Sequence, residues 1–398
     1  MTMPVAGRAV AAVIGGLLVL SAWYSMIGTL IVPRPVSSSL TRWVDRIIDA
    51  AFHLATDMAR SYKRRDRVLS AEAAAILIAQ IVAWLGFFYI GYALLLWPFV
   101  RSVTTALTLA SPAVFGANDA AGAAGRVLGD LATVSGLITI TLQIAYLPTL
   151  YSSFNRRETE VALLNARAGV PSWGPELLAR THYALGSGIS TIDTLPGLYA
   201  DWERWASDIA ESHTTYLPLV RFRSPKPLSS WVTSLLAVLD SAALILSLSP
   251  SEAPEVPARL CLRSGFTCFR EVARAMGFAV PDEPSPETGI SISYEEFLDA
   301  VDRMRKVDFP IERDPADAWP DFVGWRVNYE QPAYAIAMAV DAVPALWSGP
   351  RRHPMPQIPP VRPGKGRVPE GKRAAGAASG RVRLTRQRRT GRRAGAGP

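Results

Sequence analysis

The sequence predicts an all-α, multi-pass membrane protein: three transmembrane helices and a re-entrant segment, then a helical cytosolic domain and a disordered basic tail. Three observations predict it. Uncharged stretches cover Ala9–Val32, Ala73–Val100 and Leu131–Asn155, and about 20 apolar residues suffice to cross a ~30 Å hydrocarbon core. Beyond Glu158 apolar residues recur every three or four positions between Pro-rich turns, with little β-type alternation. Residues 349–398 carry fourteen Lys and Arg against one acid, Glu370, without apolar periodicity. The implied organisation is a transmembrane domain over 1–157, a cytosolic helical domain over 158–348 and a tail over 349–398.

The first stretch begins after Arg8 like a secretory leader. It continues through Trp23, Tyr24 and Met26 to Val32, beyond the ~7–15 residue core of a signal peptide, and reads as a span over about 9–32. Orientation follows from the short loops, because Lys and Arg are retained on the cytoplasmic side. Segment 33–72 holds eight basic residues, segment 101–130 only Arg101 and Arg126, and Arg156 and Arg157 directly follow the third span. The expectation is a plasma (inner) membrane protein with its amino terminus outside and its carboxyl terminus cytoplasmic. In the inner loop Leu40, Trp43, Val44, Ile47, Ile48, Ala51 and Phe52 recur at helical spacing. This amphipathic helix either lies along the inner leaflet with Trp43 at the interface or packs on the cytosolic domain.

Between the second span (about 73–100) and the third (about 131–155), the apolar segment 102–117 is too short to cross. Ser102–Ala110 reads as a half-helix, broken at Ser111 and Pro112, with 113–117 returning. Non-helical backbone at membrane depth is tolerated where protein buries it or where it lines a water-filled cavity, so Thr105, Thr108, Ser111, Phe115 and Gly116 are the pore-loop candidates. The intramembrane amides Gln80 and Gln143 serve either as interhelical links or as pore lining. Gly86 and Gly91 read as points of close backbone approach.

The run from Leu142 through Tyr146, Pro148 and Tyr151 into Asn155, Arg156, Arg157 and Glu158 carries a resemblance, as do the blocks 230–243 and 324–330. On these residues the chain resembles small, uncharacterised actinobacterial membrane proteins with a two-pore-domain potassium-channel-like span, pore loop, span unit. The resemblance covers most of residues 70–350 and implies a channel architecture, oligomeric if it conducts. It would place a Thr-Leu-Gly-Phe-like turn near 114–117, where only Phe115 and Gly116 survive, in reversed order. That departure speaks against potassium selectivity.

In the cytosolic domain, Leu195, Leu198, Tyr199, Trp202, Trp205, Ala206 and Ile209 form the core stripe of one helix, with Asp193 or Thr194 available to cap it. Residues 227–251 contain a single charge, Asp240. A central aspartate disfavours membrane insertion by about 2.5–3.5 kcal/mol, so the segment reads as a buried helix in which Asp240 requires a partner. Around 258–276 Arg259, Arg263, Arg270 and Arg274 share one stripe, expected to be a solvated face paired with acids. Ser293 and Glu296 form a capping box, and Ala333–Leu346 reads as a closing helix. Cys261 and Cys268, seven apart on a helix, lie about 10.5 Å apart along its axis and cannot bridge. The sequence has no HExxH, no phosphate loop, no Cys–His pairing and four histidines in all, while Gly186-Ser187-Gly188 is an isolated glycine-rich turn. Neither an enzyme, a metal site nor a cofactor is expected.

Without the tail the body holds 28 basic and 33 acidic residues, and 158–348 alone holds 15 and 26, so the molecule is bipolar in charge. The tail cannot bury enough surface to offset chain entropy. Its arginines, densest at Arg386, Arg388, Arg389, Arg392 and Arg393, point to anionic lipids at about 1 kcal/mol per basic residue near the surface. Interleaved aromatics are missing, which disfavours nucleic acid. Two functions follow as expectations: ion conduction through a channel-like core gated by the cytosolic domain, or a non-conducting scaffold whose cytosolic domain binds partners.

Overall fold

Each long uncharged stretch becomes a helix. The computed structural model describes residues 5–32, 38–59, 61–100, 102–111, 122–182, 192–285 and 288–362. Within them every regular element is helical, apart from one isolated bridge between Ala345 and Ile358. Four helices are long and apolar enough to cross a membrane: α1 (Val5–Leu30), α4 (Glu72–Leu96), the apolar part of α6 (Gly122–Ala168) and α9 (Trp231–Leu248). Burial separates them. The protein buries 33%, 33% and 39% of the apolar windows of the first three, but 94% of α9. Large apolar side chains such as Leu17, Val82 and Ile144 point outward from the first three helices, whereas every residue of α9 except Leu246 is buried.

Helices α1 and α4 meet where both lack a side chain. A Cβ on Gly15 would stand 2.5 Å from the Gly91 carbonyl oxygen, and one on Gly91 would stand 2.8 Å from Val19. Gly86, the other glycine expected to serve this way, has open space beside it. Trp84, Phe88, Tyr92 and Met26 fill the space between α1, α4 and α6. The short helix α5 (Val103–Ala110) buries Ala106, Leu109 and Ala110 in the same cluster, its start fixed by Ser102, whose hydroxyl accepts from the Thr105 N–H at 3.1 Å. Between α1 and α4 lie α2 (Ser39–Asp57) and α3 (Tyr62–Leu69).

Helix α6 runs for 47 residues without interruption, about 70 Å at 1.5 Å per residue. It buries Ala132 in the first core and Val161, Leu164 and Ala168 in the second. The apolar stretch ends at Asn155, but the helix continues through that point. Around the second core α7 (Gly174–Thr181), α8 (Leu195–Thr215), α10 (Glu255–Ala275), α11 (Tyr294–Arg305), α12 (Pro315–Arg326) and α13 (Glu330–Ala339) enclose α9. The α8 stripe faces inward as its spacing predicts, with Thr194 at the N-cap position making no side-chain cap bond. The Ser293–Glu296 capping box is present at α11. Gly174 lets α7 close onto α9, where its Cβ would stand 2.6 Å from that of Asp240.

Asp240 finds its partner in Arg326, also fully buried. The guanidinium donates to Asp240, to Glu330 at 2.7 Å, to the Tyr334 hydroxyl at 2.9 Å and to the Trp347 carbonyl at 2.7 Å, while the Tyr329 hydroxyl donates to Asp240 at 2.7 Å. Burial pushes the Asp240 carboxyl up, and the guanidinium and phenol oppose it. On α10, Arg259 pairs with Glu255 at 2.9 Å and Arg274 with Asp282 at 2.8 Å, and Arg270 donates to the Asp282 carbonyl at 2.9 Å. Cys261 and Cys268 are buried free thiols, pushed up by desolvation.

Two expectations are corrected. The closing helix stops at Ala339; Asp341 takes a positive φ of 45°, and the Ala342 N–H turns back to the Ala337 carbonyl at 2.8 Å. Residues 349–362, grouped with the tail by composition, pack on the domain. Arg351 is buried and donates to the carbonyls of Ala342, Val343 and Ser348 at 2.5, 2.6 and 2.7 Å, and burial lowers it to about 10. Val361 N–H bonds the Val170 carbonyl at 3.0 Å, and Arg362 reaches Glu176 at 3.1 Å.

Removing one member of a buried ion pair costs about 3–5 kcal/mol because the other charge is stranded. Asp240→Leu in the full chain in detergent is therefore expected to lower the thermal unfolding midpoint sharply. The double variant Asp240→Leu/Arg326→Met should recover part of that loss, and Asp201→Ala, at an exposed pair with Arg204, should barely move it.

Candidate functional site

The densest concentration of buried charge lies where the outward-facing apolar helices join the carboxy-terminal helices. It is built on the segment Leu217–Arg221, a 3-10 turn, and the residues Phe222 and Arg223 after it. The turn forms because Pro218 opens it and its carbonyls have buried donors. Leu219 packs with Leu77 of α4 and with Tyr146 and Leu150 of α6, so apolar contacts seat the segment before any charge acts. Tyr146 and Tyr216 meet edge to face at 5.4 Å, and Phe222 lies beside Phe154 at 5.5 Å.

Arg157 of α6 is fully buried. It donates to the Leu219 carbonyl at 2.8 Å, the Phe222 carbonyl at 2.6 Å, Glu158 at 2.9 Å and His213 Nε2 at 3.1 Å, and its own carbonyl accepts from Trp205 Nε1 at 3.2 Å. A guanidinium has no acceptor, so His213 Nε2 must carry the lone pair and Nδ1 the proton. Burial, and then the neighbouring Arg157 charge, hold His213 well below its ordinary value. It is neutral at pH 7.

Arg221 points the other way. One of its terminal nitrogens donates to Asp49 of α2 and to Glu72 of α4, each at 2.6 Å. His53 Nε2 lies 3.1 Å and Arg352 3.8 Å from the Asp49 carboxylate. Arg223 donates to Asp66 at 2.8 Å and Tyr62 at 3.1 Å of α3, and to the carbonyls of Val340 and Asp341 at 2.8 and 2.7 Å. Arg221 and Arg223 of this segment, with Arg157 of α6, thus tie α2, α3, α4 and α6 to α8 and the turn after α13. From the carboxy-terminal side His353 reaches Asp57 of α2 at 2.7 Å. The arrangement fixes the position of one group of helices against another; it offers no paired nucleophile and base.

The residues singled out in the sequence fall elsewhere. Thr105 is half-buried beside Ser102, Thr108 is exposed and donates to the Thr104 carbonyl at 2.9 Å, and Ser111 closes α5 with its N–H on the Thr108 carbonyl at 3.2 Å. Phe115 and Gly116 lie outside the described residues, as do Gly186–Gly188 and the tail arginines Arg386, Arg388, Arg389, Arg392 and Arg393. Gln80 donates to Asp45 of α2 at 2.9 Å. Gln143 is buried with neither amide atom hydrogen-bonded. The structure does not bring Gln80 and Gln143 together with the α5 threonines into one described cluster. Sequence reasoning missed Arg221, Arg223 and the role of Arg157; the available signal was the row Asp45, Asp49, His53, at i, i+4, i+8 on one face of α2.

No protein-family model matches the chain, and no curated protein or solved structure is similar to it.

Two outcomes test the joint. Arg221→Ala is expected to raise hydrogen exchange throughout α2, whereas Arg204→Ala, on an exposed pair, leaves it unchanged. As pH falls below about 6.5 the unfolded chain gains a proton at His213 that the folded chain refuses, so stability declines by up to about 1.4 kcal/mol per pH unit. Unfolding midpoints between pH 7.5 and 5.5 should show this decline, and His213→Gln should flatten it.

Proposed function

We propose that the chain is an integral membrane protein that couples a span, half-helix, span unit (α4, α5, α6) to a cytosolic helical domain, and that several copies of this unit enclose an ion path gated by that domain. The carrying observation is α6: one helix of 47 residues holds buried side chains of both hydrophobic cores. A displacement of the second core therefore moves the wall of the first, since a packed helix transmits strain instead of absorbing it. In this reading α1, α4 and the apolar part of α6 are the three spans, because their outward Leu, Val and Ile side chains are left exposed by the described residues. The buried helix α9 stays in the cytosol. The basic loop 33–72 and the joint arginines favour an amino terminus outside and a carboxyl terminus inside the plasma membrane. The tail adds anionic lipid as a partner. The resemblance to two-pore-domain potassium-channel-like proteins supports the pore reading, and the departure at Phe115 and Gly116 argues against potassium selectivity.

One observation favours the second reading, a non-conducting membrane scaffold. Polar side chains of the spans pair within one subunit: Trp84 Nε1 donates to Ser25 at 3.0 Å, Tyr92 and Ser135 share a bond of 2.9 Å, and the Thr139 hydroxyl donates to Met26 Sδ of α1 at 3.2 Å. Such groups serve as links between helices.

Planar-bilayer recording separates the two. Conduction predicts ionic current from the purified full chain, altered by substitution at Phe115 or Gly116, with Arg157→Ala changing the open fraction. Silent bilayers, together with cytosolic proteins that co-purify and are lost when 158–348 is removed, would establish the scaffold.

A further inference from the structure

We infer that α2 crosses the inner-leaflet interface steeply, with phospholipid of that leaflet covering its apolar stripe while its acidic row is closed on protein. The inference rests on the membrane reading above. Trp43, Ile47, Leu54 and Met58 are 63%, 44%, 72% and 88% exposed. At 100° per residue they fall within about 60° of one another around the helix. The opposite side, Thr41, Asp45, Asp49, His53 and Thr56, is turned onto the protein. A helix packed on a water-soluble domain turns its apolar side in; here Val44 is buried, but Trp43, Ile47, Leu54 and Met58 are not.

The register gives the depth. Ser38, at the start of α2, bonds Ser25 at 2.6 Å, and Ser25 accepts from Trp84. Asp45 accepts from Gln80, and Asp49 meets Glu72 through Arg221. As α2 advances from 38 to 49, its partners on α4 step back from 84 to 72. The two helices run antiparallel, side by side, over a rise of about 16–18 Å. The apolar run 73–100 is centred near residue 87, and half a hydrocarbon thickness, ~15 Å, is about ten residues. The inner boundary therefore falls near residue 77. Trp43 lies inside it, Ile47 close to it, and Leu54 beyond it among the headgroups. Arg46, about 60° from the edge of the stripe, is exposed and reaches the anionic headgroups by snorkelling. At the same depth on α4, two residues either side of Gln80, Ile78 and Val82 are 62% and 63% exposed. Lipid, which already must cover α4 at this depth, is the occupant that fits. The flat placement on the inner leaflet and the packing of the stripe on the cytosolic domain are both replaced.

The test uses the full chain in liposomes of phosphatidylethanolamine and phosphatidylglycerol, spin-labelled at Trp43→Cys, Ile47→Cys or Leu54→Cys. Cys261 and Cys268 are buried and do not take the label. Leu17→Cys on α1 is the lipid control and Val256→Cys on α10 the aqueous one, at 63% and 67% exposure. Collision with oxygen relative to a water-soluble nickel chelate should fall stepwise from 43 to 47 to 54. Equal, shallow values at all three sites would mean a flat helix and overturn the inference. Nickel access at 43 equal to that at 256, with 17 still in lipid, would overturn it while leaving the membrane reading intact. Water access at 17 would remove the membrane reading itself. Exclusion of both reagents at 43 with spin–spin broadening would assign the stripe to a second copy and also overturn the inference.

Discussion

The buried guanidinium of Arg157 is the constraint from which the joint follows. A charge withdrawn from water costs several kcal/mol unless its hydrogen bonds are replaced, and Arg157 replaces them with two carbonyls, a carboxylate and an imidazole. Those carbonyls belong to Leu219 and Phe222, so satisfying Arg157 dictates the path of the segment that carries Arg221 and Arg223. His213 must then remain neutral, because a second cation beside Arg157 in a dry site has nothing to balance it. The order of construction is apolar first and polar second: Leu77, Tyr146, Leu150 and Leu219 seat the turn, and the arginines fix it. Packing of this kind has few alternative arrangements, and one continuous helix, α6, contributes to both cores.

How much of this was legible in the sequence depends on which physical signal each feature leaves. Length and apolarity left strong ones, and α1, α4 and α6 appear where the uncharged stretches lie. The α8 stripe and the Ser293–Glu296 box are local patterns and could be read locally. Asp240 announced its need for a partner, because a lone acid in an apolar run is costly, but Arg326, eighty-six residues away, left no sign of being that partner. Arg157 looked like a topology marker at the end of a span. A charge at that position serves orientation and buried pairing equally well, and periodicity cannot separate the two. Gly86 and Gly91 are chemically identical in the sequence; only the presence of Gly15 opposite one of them makes that one a contact. Residues 349–362 lack periodicity because they are held by backbone groups and by arginines that bind carbonyls, and composition alone groups them with the tail.

The polar residues of the apolar helices bear on the same question. Serine, tyrosine and tryptophan groups close on one another within the bundle, which reduces the cost of burying them and fixes helix rotation. Gln143 is the exception, buried with both amide atoms unbonded.

An amphipathic pattern states that a helix has two environments without stating which side meets which. In α2 Asp45 and Asp49 turn onto the protein while Trp43, Ile47 and Leu54 face outward, and the reason lies in the partners. Gln80, Arg221, Arg352 and His353 supply polar and cationic groups on the protein side, so the acids gain more by turning inward than the aliphatic residues would. Asp49 thereby receives Arg221 from the 3-10 turn and Arg352 from the residues after α13, two cations belonging to the carboxy-terminal half of the chain. One guanidinium, that of Arg221, holds Asp49 and Glu72 together. Asp49 of α2 and Glu72 of α4 thereby share a cation that belongs to neither helix, and Arg221 joins both of them to the 3-10 turn after α8.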